Sequence, residues 1–109
     1  MSDSIETVRK KYIPLQGKNK KIIAIPMINK LLETKYVYHF DWMGVPTIQF
    51  PSDLIVMQEI IYKYKPDVII ETGVAHGGTL LFYSSILKLI KKKFLVIGID
   101  VLIKNKNKK

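Results

Sequence analysis

Two carboxylates with a glycine-rich loop between them are the side chains of this chain best placed to do chemistry. The run Asp67-Val-Ile-Ile-Glu71-Thr-Gly73-Val-Ala75-His76-Gly77-Gly78-Thr79 passes from apolar strand residues through a turn into an apolar helix. A second apolar run, Phe94-Leu-Val-Ile-Gly-Ile, then ends in Asp100. Glycines after a strand let backbone approach a ligand closely, and the helix that follows begins with unpaired N–H groups. An acid at the tip of the next strand supplies an acceptor for sugar hydroxyls. Together these features form a nucleoside-binding arrangement.

The loop departs from the dinucleotide fingerprint G-x-G-x-x-G. Positions 73, 75 and 78 read Gly, Ala and Gly, with Gly77 added. The Ala75 methyl stands where a pyrophosphate needs the closest backbone approach. Glu71 would repel a phosphate in a half-buried site. A cationic ligand without phosphates suits the residues better, and S-adenosylmethionine, with its amino group, sulfonium and ribose hydroxyls, is such a ligand. In that site Gly73, Ala75 and Gly77 lay main chain against the amino-acid part, and the helix N-terminus near Gly78 meets its carboxylate. Asp100 accepts the ribose hydroxyls through its two oxygens, and Glu71 faces the amino group directly or through water. The same residues also admit a structural role, in which the glycines only permit a tight turn and both acids are solvated at strand ends.

His76 fits either a base or a polar turn residue, and His39 is the weaker candidate. Tyr36, Tyr38, Phe40 and Trp42 either line a ligand pocket or anchor an irregular segment on the core. No Ser-His-Asp order, H-x-x-x-H spacing or paired helical carboxylates occur, so neither a hydrolase nor a self-contained metal site is expected.

The elements that must position these residues are read from periodicity and breakers. Residues 1–21 are polar and basic, an arm. Ile22 to Ile25 is apolar and ends at Pro26, and Met27 to Tyr36 suits a short helix with Met27, Ile28, Leu31 and Leu32 on one face. The segment from Tyr36 to Pro51, with Gly44, Pro46 and Pro51, reads as extended, irregular chain. Ser52 or Asp53 can cap the next helix, whose Leu54, Met57, Ile60, Ile61 and Tyr64 form a buried stripe stopped by Pro66. Val68 to Ile70 is a short strand, Thr79 to about Lys92 a helix, and Leu95 to Ile99 a strand apolar enough to be covered on both sides. Strand, helix and strand in this order form a parallel α/β unit with a right-handed crossover. The expected organisation is an arm with a short helix over 1–39, a domain portion over 40–103 and a Lys/Asn-rich tail over 104–109.

The chain of 109 residues holds one small domain at most, and its 48% hydrophobic content supports a core. Cysteine is absent, which removes disulfides and thiolate metal sites. The N-terminus lacks the basic-then-apolar order of a secretory leader, so the cytoplasm is the expected compartment. Net charge is +9, and fourteen of the eighteen basic residues fall in three blocks: Arg9 to Lys21, Lys88 to Lys93 and Lys104 to Lys109. Few aromatics interleave them, as a nucleic-acid stripe would require, so solvated lysine faces are expected and nucleic acid is not.

Several of these segments resemble a known family. Trp42-Met-Gly44-Val-Pro46-Thr-Ile-Gln49-Phe-Pro51-Ser-Asp53, Gln58-Glu59-Ile-Ile, the stretch from Lys65 to Thr79, and Gly98-Ile-Asp100 resemble the cephalosporin hydroxylase family. That family is similar to the rhamnosyl O-methyltransferases, within the Rossmann-like S-adenosylmethionine-dependent methyltransferases. The resemblance covers roughly residues 40 to 108 and implies a partial Rossmann-like fold with an incomplete parallel sheet. It also implies Glu71, Gly73, Ala75, Gly77 and Asp100 near the cofactor, and an acceptor that is a sugar of a glycolipid or antibiotic, as in lipid or polysaccharide biosynthesis. A divalent metal assists many members, through acids that a full-length relative carries further on. Where members continue I-D-I-x-I-R-x-H-N-R, this chain keeps Asn107, has Lys106 in place of the histidine, and stops. The expectation is the N-terminal part of a sugar O-methyltransferase, inactive alone and possible as a homo-oligomer. The rival is a small basic protein that binds RNA or an anionic membrane surface through its lysines.

Overall fold

The computed structural model describes residues 4–7, 18–90 and 93–103, and divides the chain into two units, Met1–Thr34 and Lys35–Lys109. Most of the basic arm, Lys91, Lys92 and the 104–109 tail lie outside the described residues.

In the first unit, helix α1 (Lys18–Glu33) runs through Pro26. The sequence expectation breaks the chain there, and the structure does not. Proline removes one intrahelical bond, yet the helix continues on both sides of it. Beyond the helix, Thr34 folds its hydroxyl back onto the carbonyls of Lys30 and Leu31, both at 3.1 Å.

The second unit opens with a 3-10 turn (Tyr36–His39) and a small antiparallel hairpin of β1 (Asp41–Trp42) and β2 (Val45–Pro46). Met43 and Gly44, the two turn residues, both have positive φ, 49° and 79°, the geometry that matches strand twist in a two-residue hairpin. An irregular segment was expected here. The period-2 signal is too short to see in two-residue strands, and a methionine is an unusual occupant of the first turn position.

Helix α2 (Pro51–Tyr64) follows, with Phe50 as N-cap and Pro51 in the first turn. Neither Ser52 nor Asp53 caps it. Proline already fixes the helical φ and lacks the N–H a cap would serve, so the helix starts two residues earlier than a Ser52 cap would give. Asp53 still faces the positive end of the helix dipole. Of the expected stripe, Ile61 is buried and Leu54 and Met57 pack against the core, whereas Ile60 and Tyr64 are exposed. Lys65 ends the helix in the left-handed region, its N–H donating to the Ile61 carbonyl at 2.8 Å.

Strand β3 (Val68–Thr72), helix α3 (Gly78–Ile90) and strand β4 (Leu95–Ile99) complete the unit. The strands are parallel, in register from Val68↔Leu95 to Thr72↔Ile99, so β3 is two residues longer than expected. Alternation turns Ile69, Glu71, Val96 and Gly98 toward α3. Ile61, Phe82, Tyr83 and Leu87 form the core between α2, α3 and the sheet, flanked by Trp42, Ile69, Phe94 and Val96. The opposite face carries Ile70 and Ile99, 61% and 55% exposed. Among the described residues this sheet is covered on one side only, although its apolar sequence suits both.

Leu87 has no exposed surface and Leu89, two residues further along α3, is 82% exposed. Leu87→Ala is expected to lower unfolding free energy by about 2–5 kcal/mol in urea titration, and Leu89→Ala to stay within about 0.5 kcal/mol.

Candidate functional site

The strand-to-loop transition is set at Gly73, whose N–H makes the last ladder bond, to the Ile99 carbonyl at 2.8 Å. Gly73, Ala75 and Gly77 then adopt positive φ of 85°, 49° and 85°, alternating with ordinary residues. A Cβ at Gly73 would meet no atom within 4 Å. Glycine is therefore required there by backbone conformation, and the space above it is open. Gly78 is different: a Cβ would collide with the Thr47 hydroxyl and the Pro46 carbonyl. It lets the hairpin rest on the first turn of α3. At the other end of the hairpin, Trp42 donates its Nε1–H to Ser85 at 3.2 Å and meets Phe82 edge to face, 4.9 Å between centroids. Of the aromatic segment, Trp42 thus anchors the hairpin on the core, while Tyr38 is exposed.

Asp100 stitches the loop to the neighbouring strand. Its Oδ2 accepts the N–H groups of Val74 at 2.7 Å and Ala75 at 3.2 Å, and its Oδ1 accepts that of Leu102 at 3.1 Å. Donors from Leu102, Ala75 and Val74 hold its carboxyl below the usual carboxylate range. Ala75, left-handed without being glycine, is held in place by one of these bonds.

Glu71 turns toward α3. Its Oε2 accepts the Thr79 hydroxyl at 2.6 Å, and the Tyr83 hydroxyl also acts on the carboxylate. Burial pushes its carboxyl up, and the two hydroxyls act against that. Tyr83 is pushed up in turn, by burial and then by the Glu71 charge. Sequence reasoning passed over Thr79 and Tyr83 in this role. Their signal was present: two hydroxyls four residues apart, one above the other on a largely apolar helix.

The structure therefore gathers the five expected residues around one loop, Glu71 beneath it on the α3 side and Asp100 bonded to its backbone. A cavity of about 500 Å³ lies beside the loop, lined by Val74, His76, Gly77, Leu80 and Gly98 among others. Of the five, Gly77 lines it. Gly98 has a steric role, since a Cβ there would press into Leu80 and Val74. A second cavity of about 330 Å³ lies between Gln49, Asp53, Met57 and Tyr83. Among the described residues no three His, Asp or Glu side chains converge as metal ligands would. The arrangement offers backbone, open space and two carboxylates, a set that can hold a hydroxylated, positively charged small molecule.

Residues 34–109 match the family described as rhamnosyl O-methyltransferase/CmcI. The chain is 33% identical over 60 residues to a rhamnosyl O-methyltransferase of Mycobacterium leprae (strain TN), covering 55% of this chain and 26% of that protein. It is 31% identical over 70 residues to a rhamnosyl O-methyltransferase of Mycobacterium bovis (strain BCG / Pasteur 1173P2), covering 64% and 27%. It thus spans about a quarter of the length of these relatives. No solved structure gives a significant match.

Two outcomes follow from the loop geometry. Gly73→Ala should cost about 1–2 kcal/mol, from the left-handed backbone alone. Gly78→Ala should cost more, and should also change the emission of Trp42, the sole tryptophan, as the hairpin lifts. Asp100 has a folded-state pKa below its unfolded one, so its contribution is complete above the ordinary carboxylate value and is lost as pH falls through the depressed one. Amide-exchange protection at Val74 and Ala75 should fall over that acid window, and Asp100→Asn should weaken it at neutral pH.

Proposed function

The chain belongs to the rhamnosyl O-methyltransferase/CmcI family, and from that premise we propose that it binds S-adenosylmethionine at the 73–77 loop and supplies the cofactor-binding part of a sugar O-methyltransferase. The observation that carries this reading is the loop itself: left-handed at 73, 75 and 77, open above Gly73, and tied to an acid on the next strand. The open space at Gly73 admits the amino-acid part of the ligand against main chain. The ribose hydroxyls go to Asp100 through Oδ1, while Oδ2 keeps the loop amides. Glu71 supplies negative charge beneath the amino group, and the first turn of α3 offers N–H groups to the ligand carboxylate.

When bound, S-adenosylmethionine supplies a methyl group on a sulfonium, for transfer to a hydroxyl oxygen of the acceptor. The acceptor we assign is a sugar hydroxyl, free or on a glycolipid. The residues here bind and orient; proton removal from the acceptor is assigned to none of them. The described donor set does not fit a divalent metal. We place the protein in the cytoplasm, where this cofactor is made; among the described residues no helix is long and apolar enough to cross a membrane.

Isothermal titration with S-adenosylmethionine at low and high salt tests the reading. Heat is expected at up to millimolar ligand, with little salt dependence, abolished by Gly73→Val. Asp100→Ala should weaken binding by roughly tenfold or more, as loss of hydrogen bonds to a charged acceptor implies. Absence of heat would refute the proposal. Affinity for RNA or anionic vesicles that falls steeply with salt and survives Gly73→Val would favour the polyanion-binding alternative instead.

A further inference from the structure

Glu71 stands on β3 at the edge of the loop, and its register partner on β4, Gly98, has no side chain to touch it. What surrounds its carboxylate comes chiefly from α3. Thr79 and Tyr83 lie one turn apart on the buried side of that helix, each only 7% exposed. The Thr79 bond is 2.6 Å, the short length of a hydroxyl donating to an ionised carboxylate. Tyr83 has a ring role as well, in the core beside Phe82 with centroids 5.8 Å apart. Packing alone would be served by Val at 79 and Phe at 83. A buried hydroxyl without a partner is costly, so what justifies an oxygen at both positions is the acid they share.

We propose that Thr79 and Tyr83 are positioning residues: their two hydroxyls clamp the Glu71 carboxylate, fixing its direction and keeping it ionised so that it can face the cationic end of the ligand. The inference rests on the assignment of that ligand as S-adenosylmethionine. Burial alone would drive Glu71 toward its neutral form, which offers no charge to an ammonium group; the two donors oppose this. Other titratable groups nearby are His76 of the loop, on a cavity wall with Gly98, Asp100, at the neighbouring strand tip and held ionised by backbone donors, and Asp53 of α2, which shares a cavity wall with Tyr83. Tyr83 stays a neutral donor at physiological pH, because burial and the Glu71 charge both push it up.

The test uses the whole chain labelled with 13C at glutamate carboxyls, titrated by NMR in wild type, Tyr83→Phe, Thr79→Val and Thr79→Ser, with thermal melts to verify folding. The Glu71 midpoint should rise in Tyr83→Phe and Thr79→Val and stay near wild type in Thr79→Ser, which keeps the hydroxyl. The pH below which S-adenosylmethionine binding is lost should rise by the same interval, with affinity at higher pH much less affected. An unchanged Glu71 midpoint in both hydroxyl-deleting variants would overturn the clamp. A shifted midpoint with an unmoved acid limb of binding would overturn its service to the ligand. A shifted midpoint in a protein that gives no heat with the cofactor at any pH would support the clamp while refuting the proposed function.

Discussion

One carboxylate joins the two halves of the site. Asp100 leaves the end of β4 and accepts the N–H groups of Val74 and Ala75, the residues just past the end of β3. Without that acceptor, two amides of a loop that twice enters the left-handed region at glycine and once at alanine would have to find water. The loop could then relax away from the conformation that leaves Gly73 open. The parallel register brings Asp100 within reach, since Thr72 pairs with Ile99 and the next residue on each strand faces the gap. Sheet pairing and loop shape are thus a single constraint.

Helix α3 is where stability and site chemistry share residues. Phe82 and Leu87 fill the core, Gly78 admits the hairpin, and Ser85 takes the Trp42 indole. The same helix turns Thr79 and Tyr83 onto Glu71. A rotation of α3 that optimised one set would disturb the others, because the residues lie three and four apart on a rigid cylinder. The core therefore sets the orientation of the acid.

Much of the fold was legible from particular residues. The β-branched runs at 68–70 and 95–99, with the apolar helix between, announced a parallel strand–helix–strand unit, and Pro66 ended α2 as expected. The positions that misled were those where a rule of local chemistry competed with a stronger neighbour. Pro26 lies inside a helix that continues on both sides of it. Ser52 and Asp53 do not cap, because Pro51 had already opened the helix. The hairpin at Met43-Gly44 was invisible because two-residue strands carry no period. The loop glycines were legible as a group, but their separate roles were not: Gly73 answers to backbone conformation, and Gly78, like Gly98 on β4, to atoms from distant parts of the chain.

By itself the sequence determined the order of elements from α2 to β4, the glycine loop and the two acids at its flanks, because periodicity, breakers and charge are local properties. Tertiary structure alone decided what each acid touches. Asp100 binds loop amides and Glu71 binds the Thr79 hydroxyl of α3, since strand register and helix packing, which join residues far apart in the chain, select a carboxylate's partners.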